Sequence, residues 1–246
     1  MIRTILILLY LVLFLILGIP VLFVEWIIGH FNQDLKDRSS LALVQWGFRC
    51  CLFTAGTKIT VLGKENIPKD TAVLYVANHR SYFDILINYT LVPGLTGFIS
   101  KKEMKRVPLL SLWMKNVHCL FLDRHDIKQG MQTILAGIEK VKSGISIFIF
   151  PEGTRNREEG TFLDFKGGSF KIAEKSGCPI IPVAINNSGA IFEDHIPFVR
   201  KTHVVVEYGK PILPSSLAKE ERKLIPQMAK EQIVTMFEKN KSLLSS

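Results

Sequence analysis

The chain begins with one long apolar segment and then changes to short apolar runs separated by polar stretches. No residue from Thr4 to Val24 is charged, and nearly all of them are Leu, Ile, Val or Phe. At about 1.5 Å per residue, a helix of this length reaches across a hydrocarbon layer roughly 30 Å thick. A polar stretch, His30–Ser40, separates it from a second apolar segment, Leu41–Gly56. The pattern predicts two apolar helices joined by a short polar link.

The first segment has two interpretations that do not involve a stable membrane contact. A cleaved signal peptide is disfavoured because the apolar run is long, only Arg3 precedes it, and no small-x-small site follows Leu17. A half-exposed helix of a soluble core is disfavoured because the run is uniformly apolar. Membrane association is therefore favoured. Pro20 and the second segment leave open whether the chain crosses the bilayer or forms a hairpin in one leaflet.

Beyond Lys58 the pattern alternates between predicted strands and predicted helices. Residues 131–141 place five apolar side chains on one helical face, and helices are also expected at Gly168–Ser176 and at Ser216–Lys239, with a kink at Pro226. The run ISIFIF is apolar on both faces, which is typical of a sheet covered on both sides. The strands, recognised by β-branched and aromatic residues, are Ala72–Ala77, Thr96–Ser100, Val117–Leu122, Ile145–Phe150, Ile180–Ile185 and His203–Tyr208.

These elements predict an α/β fold with a mixed, largely parallel sheet flanked by helices. The sheet and its helices occupy residues 58–246. An N-terminal apolar two-helix motif, residues 1–57, is expected to anchor them to a membrane.

Charge separates the same two parts of the chain. Lys and Arg number 31 against 22 Asp and Glu, which gives a net charge of +9. Residues 1–30 contain only Arg3 and Glu25, so the whole excess lies on residues 31–246. An apolar end on a basic body predicts contact with anionic lipids at the cell membrane, with the body on the cytoplasmic side. The four cysteines form no C-x-x-C pair, which favours reduced thiols over a zinc or disulfide framework.

Polar residues follow the predicted strands, at the sheet edge where ligands gather. After the first strand, His79 and Asp84 cannot share one face of a continuous helix, but they meet if the helix begins at Ser81. A carboxylate on one ring nitrogen fixes the tautomer and leaves the other nitrogen free to take a proton. The spacing of Ser81 and Asp84 also fits a capping box, in which Asp84 only caps the helix. The spacing alone leaves both interpretations open.

No other group accompanies this pair at a recognisable spacing. The chain has no G-x-S-x-G turn to supply a serine nucleophile, and no second ligand cluster for a metal. The pair is therefore typical of a base that activates a substrate hydroxyl directly. The remaining histidines, among them His118 and His203, have no acidic partner at a local spacing and are expected to be structural.

A second group of polar residues, FPEGTR (150–155), ends the most apolar strand. Pro151 closes the strand and Gly153 permits a tight turn. We expect Glu152 and Arg155 to face outward, where an Arg is suited to a bidentate grip on phosphate. An internal ion pair between these two side chains is the alternative.

Together these blocks resemble the glycerolipid acyltransferases, most closely the bacterial enzymes that act on 1-acylglycerol-3-phosphate. NHRSYFD (78–84) resembles the family's His-x-x-x-x-Asp signature, and FPEGTR is similar to its Glu-Gly-Thr-Arg block. CLFLDR (119–124) and IIPVAI (180–185) match two further blocks in the family's order. Cys119 departs from the Gly that the family often has there.

The resemblance implies a reaction and a set of residue roles. An acyl group would pass from a thioester, acyl-CoA or acyl-carrier protein, to the sn-2 hydroxyl of 1-acylglycerol-3-phosphate (lysophosphatidic acid), giving phosphatidic acid without a covalent intermediate. No metal or cofactor is implied. His79 would be the general base and Asp84 its orienting partner. The substrate phosphate and glycerol would be bound by Arg124, Glu152, Gly153, Thr154 and Arg155, with Asn78 and Lys105 in support.

Other functions remain as alternatives. A related enzyme acting on glycerol-3-phosphate or on another lysophospholipid is the nearest one. A peripheral membrane protein without activity explains the composition but not the charged strand ends. Nucleic-acid binding is disfavoured, because the chain has neither a Cys/His finger nor an aromatic RNA-binding strand. The stretch 101–115 carries five basic residues, which would attract anionic groups or simply be solvated.

Overall fold

In the computed structural model, which describes residues 1–244, seven strands form one sheet in the order β1-β7-β6-β2-β5-β3-β4. All neighbouring strands are parallel except β6 and β7. The sheet is thus mixed and largely parallel, as predicted. The strands are β1 Lys58–Leu62, β2 Leu74–Ala77, β3 Thr96–Lys101, β4 Leu120–Leu122, β5 Ser146–Ile149, β6 Ile180–Asn186 and β7 His203–Tyr208.

One strand, β1, is absent from the six that the sequence predicts. It is the outermost strand on one side of the sheet and, among the described strands, pairs with β7 alone, Lys58 lying opposite His203. All of its residues but Lys58 are half-buried, and Lys58 is exposed. A short edge strand with Lys58 and Thr60 among its five residues gives a weak hydrophobic signal.

Within residues 1–244, seven α-helices pack around the sheet or connect its strands. Two of them precede β1 and form an antiparallel hairpin, while α3 to α6 connect β2 to β6 and α7 follows β7. The helices are α1 Ile2–Phe31, α2 Gln33–Ala55, α3 Phe83–Leu91, α4 Pro108–Asn116, α5 Ile127–Lys142, α6 Lys171–Ser176 and α7 Ile225–Asn240.

The link between α1 and α2 is much shorter than predicted. Only Asn32 separates the two helices, and its side chain accepts a hydrogen bond from the Leu35 N–H (3.0 Å) and caps α2. The predicted polar link His30–Ser40 was wrong in extent because most of its polar residues are helical. They pair at helical spacing, as in the 2.7 Å contact between Arg38 and Asp34.

The structure also corrects two other helices. Pro226 lies in the first turn of α7, where a missing N–H leaves no helical bond unmade, so it starts the helix and does not kink it. The residues before it form short 3₁₀ turns instead of the predicted helix from Ser216. The helix predicted at Gly168–Ser176 begins as a 3₁₀ turn and becomes α-helical at Lys171.

The helical hairpin and the sheet share one hydrophobic core. α1 packs on α2 and α4, with the rings of Phe14 and Trp113 5.5 Å apart, and α2 packs on α3. Residue 57 therefore marks a change of secondary structure and no break in packing. The buried α2 side chains in this core are Leu41, Val44, Cys51, Leu52 and Ala55, and they belong to the same cluster as Tyr75 and Phe148 of the sheet.

The outer face of α1 is apolar and exposed. The helix is about 45 Å long, and it alone among the described helices is long and apolar enough to cross a membrane. Isolated exposed apolar residues are ordinary on a protein surface, but a continuous face of this size is not. This helix therefore suggests association with a membrane. The exposed apolar side chains of α1 include Ile5, Leu9, Val12, Ile16, Leu17, Phe23, Trp26 and Phe31.

The direction of the strands decides which loops meet. β2, β5, β3, β4 and β6 are mutually parallel, so their carboxyl ends lie along one edge of the sheet. β7 runs the other way and starts at that edge, so residues 187–202, which connect β6 to β7, also pass along it. The polar groups that follow the predicted strands are therefore brought to a common edge.

Candidate active site

His79 and Asp84 lie in contact at the carboxyl edge of the sheet. His79 follows β2, and Asp84 projects from the first turn of α3, which begins at Phe83. The Nδ1 atom of His79 is 2.9 Å from Oδ2 of Asp84. The contact that the sequence predicts is therefore present.

The Asp84 carboxylate also receives the backbone of the turn. Its Oδ2 atom accepts the N–H groups of Arg80 and Ser81, each at 2.8 Å. The capping interpretation and the orienting interpretation thus describe the same geometry, since one oxygen fixes both the helix start and the imidazole. With Oδ2 as acceptor, Nδ1 of His79 carries the proton and Nε2 has a free lone pair.

The His79 ring is fixed on one face and open at one nitrogen. The Phe150 ring stacks on it with centroids 4.0 Å apart. The His79 backbone is also tied down, because its C=O accepts the Asn156 N–H at 2.7 Å. The imidazole is 15% exposed, and within residues 1–244 its Nε2 atom has no hydrogen-bond partner. A general base requires an imidazole that is held in place and has one basic nitrogen free, and the His79 ring has both properties.

Glu152 lies inside the protein, and its predicted outward orientation was wrong. Its Oε1 atom accepts the His79 N–H (2.9 Å) and its Oε2 atom accepts the Leu163 N–H (3.0 Å). Burial raises the pKa of the Glu152 carboxyl, while the two N–H donors oppose that rise. The carboxylate therefore supports the loop that carries His79. The alternative interpretation, an ion pair of Glu152 with Arg155, does not hold either, because Arg155 pairs with Glu193.

Gly153 and Thr154 form the turn after β5. Gly153 has a φ of +77°, a conformation that favours glycine, and a Cβ atom there would lie 3.0 Å from Nζ of Lys166. Thr154 is exposed. Lys166 is a cation at the turn that the sequence did not single out.

Arg155 extends from the end of β5 toward the turn before α3. Its Nη1 atom donates to Oε1 of Glu193 at 2.9 Å, and its Cζ atom lies 3.6 Å from the centre of the Tyr82 ring. Its side chain is 33% exposed. Arg155 is thus brought next to the residues that hold the His79–Asp84 pair.

Arg124 and Lys105 lie on the other side of β5. Arg124 follows β4, two strands away from β5, a lateral separation of about 10 Å. Burial lowers the pKa of the Arg124 guanidinium, and the nearby Glu103 carboxylate opposes this. Lys105 is exposed on the 3₁₀ turn after β3. Arg155 leans toward the β6–β7 connection, so the structure does not bring Arg124 and Arg155 together.

Asn78 extends the sheet beyond the end of its strand. Its side-chain amide donates to the C=O of Ile185 and accepts that residue's N–H, both at 2.9 Å. It therefore imitates a backbone ladder pair between β2 and β6. His79 follows directly, so this amide fixes where the imidazole leaves the sheet.

Two side-chain contacts have no signal in the sequence, one in the site and one at the opposite ends of the strands. Glu193 reaches it from the connection between β6 and β7, far from both motifs along the chain. His118, expected to be without an acidic partner, has its Nε2 atom 3.0 Å from Oδ2 of Asp37, at the opposite edge of the sheet. Both contacts join residues distant in sequence, and no local spacing announces them.

The chain is similar to known proteins in sequence and in fold. An acyltransferase family model matches residues 58–186, just over half of the chain. The chain is 31% identical over 201 residues to the 1-acyl-sn-glycerol-3-phosphate acyltransferase of Borreliella burgdorferi, covering 82% of this chain and 80% of the relative. It is 30% identical over 199 residues to the Saccharomyces cerevisiae protein of the same name, covering 78% of this chain and 65% of the relative.

A solved structure agrees along nearly the whole chain. The crystal structure of the 1-acyl-sn-glycerophosphate acyltransferase PlsC from Thermotoga maritima superposes with a TM-score of 0.82 at 26% identity. The match covers 98% of this chain and 97% of that one, so it includes the N-terminal hairpin as well as the sheet. The predicted fold and the predicted family are confirmed. This chain belongs to the acyltransferase family.

Proposed function

We propose that the protein transfers an acyl group from a thioester to the sn-2 hydroxyl of 1-acylglycerol-3-phosphate, giving phosphatidic acid. The observation that carries this proposal is the 2.9 Å contact between His79 Nδ1 and Asp84 Oδ2, which leaves Nε2 open at the sheet edge. The names of the Borreliella, yeast and Thermotoga relatives support the choice of substrate.

In this mechanism His79 acts as the general base. Its Nε2 atom takes the proton of the sn-2 hydroxyl as the hydroxyl oxygen forms a bond to the thioester carbonyl carbon. The tetrahedral intermediate then collapses, the carbon–sulfur bond breaks, and the imidazolium returns the proton to the leaving thiolate. Asp84 holds the ring and stabilises its positive charge between the two proton transfers. The carbonyl oxygen becomes an oxyanion in between and needs hydrogen-bond donors, for which backbone N–H groups are suited.

The acceptor's phosphate is assigned to Arg155, because the structure does not bring Arg124 next to it. Arg155 stands beside the turn that carries His79 and is partly exposed. Arg124 approaches from two strands further along the same edge. Gly153 supplies the positive φ that the turn needs and Glu152 holds the backbone of His79 in place, so both would shape the glycerol end of the site. Thr154 is exposed on the turn, and Asn78 supports the site by fixing where His79 leaves the sheet.

The donor is assigned to the remaining basic face. Four exposed cations at the end of β3 and just after it would attract the phosphates of acyl-CoA or the acidic surface of an acyl-carrier protein: Lys101, Lys102, Lys105 and Arg106. No cofactor enters the proposed reaction.

The hairpin is proposed to lie in one leaflet, with the α/β domain on the cytoplasmic side of the cell membrane. α2 packs on α3, and Asp37, near the hairpin tip, contacts His118 of the domain. The hairpin therefore packs along the α/β domain over much of its length. This favours a hairpin that lies in one leaflet over one that crosses the bilayer. All four cysteines are free thiols, in keeping with a reducing compartment, and the positive charge of the domain suits the cytoplasmic leaflet.

The test uses the full-length protein in detergent micelles with lysophosphatidate and either acyl-CoA or acyl-carrier protein as donor. Free thiol release and phosphatidic acid are measured together, so that thioester hydrolysis is told apart from transfer. Glycerol-3-phosphate replaces lysophosphatidate in a parallel series, which distinguishes the nearest related activity. Absence of phosphatidic acid with every donor, in protein that is folded, would refute the proposal.

A further inference from the structure

A single carboxylate joins the two motifs of the site. Glu193 lies in the β6–β7 connection, 112 residues from Ser81, and its side chain is 9% exposed. Oε2 accepts the Ser81 hydroxyl at 2.5 Å, and Oε1 accepts the Tyr82 N–H at 2.8 Å. Oε1 also accepts Nη1 of Arg155 at 2.9 Å. Its partners therefore belong to the turn before α3 and to the turn after β5.

The Arg155 guanidinium is held on two sides by this arrangement. One face of the guanidinium stacks on the Tyr82 ring, with Cζ 3.6 Å from the ring centre, and Nη1 donates to Glu193. Within residues 1–244, its Nε and Nη2 atoms have no hydrogen-bond partner. These two atoms form the side-on fork with which an arginine binds a phosphate bidentately. The Nε and Nη2 donors of Arg155 are thus free to bind a phosphate.

The same contacts fix the distance between the phosphate ligand and the base. Ser81 and Tyr82 immediately precede the first turn of α3, which carries Asp84. A shift of Glu193 would therefore move the Arg155 fork relative to the imidazole of His79. A long arginine side chain loses much rotamer freedom when it binds, and a ring and a carboxylate that order it beforehand reduce that cost for the substrate.

We propose that Glu193 and Tyr82 are positioning residues that present the Arg155 fork to the phosphate of the acceptor and so select acceptors that carry a phosphate monoester. This inference rests on the proposed function, because it takes Arg155 as the phosphate ligand. Neither residue touches the reacting atoms. Both act through Arg155, and their effect is confined to acceptors with a phosphate.

The opposite role for Glu193 is a distinct physical possibility with a distinct outcome. Its negative charge beside Arg155 would compete with a phosphate if the substrate had to displace it. Loss of the charge would then lower KM for lysophosphatidate. The open fork argues against this, since a phosphate can bind Nε and Nη2 while Nη1 stays with Glu193.

The test compares Glu193→Gln, Tyr82→Leu and Tyr82→Phe in the full-length protein, with lysophosphatidate and with a monoacylglycerol of the same chain. Glu193→Gln keeps the size and an acceptor oxygen but loses the charge, and Tyr82→Leu removes the ring. Each should raise KM for lysophosphatidate about three- to tenfold, the range for losing one pre-ordered side chain, with little change in kcat. Tyr82→Phe keeps the ring, so its KM for lysophosphatidate should equal that of wild type. Glu139→Gln, an exposed carboxylate on α5, serves as the surface control.

A double variant shows whether the effect passes through Arg155. Glu193→Gln in an Arg155→Ala background should raise KM no further than Arg155→Ala alone. The inference is overturned if KM for lysophosphatidate stays the same or falls, if both acceptors are affected equally, or if the double variant is additive. A wild-type protein that makes no phosphatidic acid would instead refute the proposed function. Thermal melting of every variant separates unfolding from lost binding, and the Tyr82 pair keeps the test decisive if Glu193→Gln does not fold.

Discussion

The part of the chain that the structure describes contains two histidine–aspartate pairs, one at each end of the parallel strands. At the carboxyl edge, Nδ1 of His79 is 2.9 Å from Asp84. At the opposite edge, Nε2 of His118 is 3.0 Å from Asp37, between α2 and the start of β4. Both pairs are largely buried, so by distance and burial alone they are alike.

The second ring nitrogen distinguishes them. Nδ1 of His118 is 3.1 Å from Nζ of Lys140, which can only donate, so Nδ1 accepts and the proton lies on Nε2 beside Asp37. The two histidines are therefore opposite tautomers. His79 keeps its outer nitrogen open at the carboxyl ends of the strands, whereas the outer nitrogen of His118 is occupied by Lys140. A histidine–aspartate pair is chemically useful only when its outer nitrogen is left free.

The largest expected difference is between the two histidine substitutions. His79→Ala should lower kcat on the order of 10²–10⁴-fold, because general-base catalysis contributes about that much. His118→Ala should leave kcat close to wild type at a temperature where the protein is folded. Steady-state thiol release in detergent, with a melting curve for each variant, checks both. Equal losses in the two variants would show that the open nitrogen is not what matters.

Substitution of the aspartate in each pair tests the same comparison, with a smaller expected effect on kcat. All three donors at Asp84 converge on Oδ2, so the amide oxygen of Asp84→Asn can keep their hydrogen bonds while the charge is lost. We expect kcat to fall by roughly 10²-fold or more, since the imidazolium formed during the reaction loses its counter-charge.

Asp37→Asn is the matched variant at the other pair. It should keep kcat but lower the melting temperature, because a half-satisfied buried contact costs about 1–3 kcal/mol. An Asp84→Asn protein with wild-type kcat would contradict the role given to Asp84.

The smallest expected effect is a change in stability with pH, and it concerns only the pair of His118 and Asp37. Burial, followed by the Lys140 ammonium, lowers the pKa of His118, with Asp37 opposing and Lys36 adding to the decrease. The folded protein then binds this proton less readily than the unfolded chain, whose histidines titrate near pH 6.5. The contribution of His118 to stability is present above pH 6.5 and is lost as the pH falls through and below that value.

Melting temperatures between pH 8 and pH 5 measure this loss. His118→Gln, which has no proton to bind, should lose less stability than wild type over the acid half of the range. Other groups titrate there too, so the difference between the two proteins is the relevant quantity. Parallel pH profiles would show that His118 is not linked to folding in this way.

The sequence predicts the features that depend on local pattern. Six strands follow from apolar runs, and the contact of His79 with Asp84 follows from a strand end and a helix start five residues apart. The outward orientation expected of Glu152 failed because burial is not a local property. Two backbone N–H groups, one from residue 79 and one from residue 163, turn that carboxylate inward.

Contacts between distant segments are not predictable from pattern. Glu193 carries no motif of its own, and only the direction of β7 brings its connection back across the site. The pairing of Asp37 with His118 needs the polar start of α2 to be helical, whereas the sequence favours a link there. In both cases tertiary packing determines what a polar residue does.

The first strand of the sheet pairs with the last, so β1 cannot pair until β7 has been synthesised. The side chains of Thr60 in β1 and His203 in β7 are 2.8 Å apart in space but 143 residues apart along the chain. At about 5–20 residues per second, β1 waits roughly 7–30 s for its only neighbour. During that time the apolar hairpin attached to it has emerged from the ribosome without the sheet that completes its core. Such delayed long-range pairing exposes a chain to aggregation, so early delivery of the hairpin to lipid would protect the nascent protein before its sheet can close.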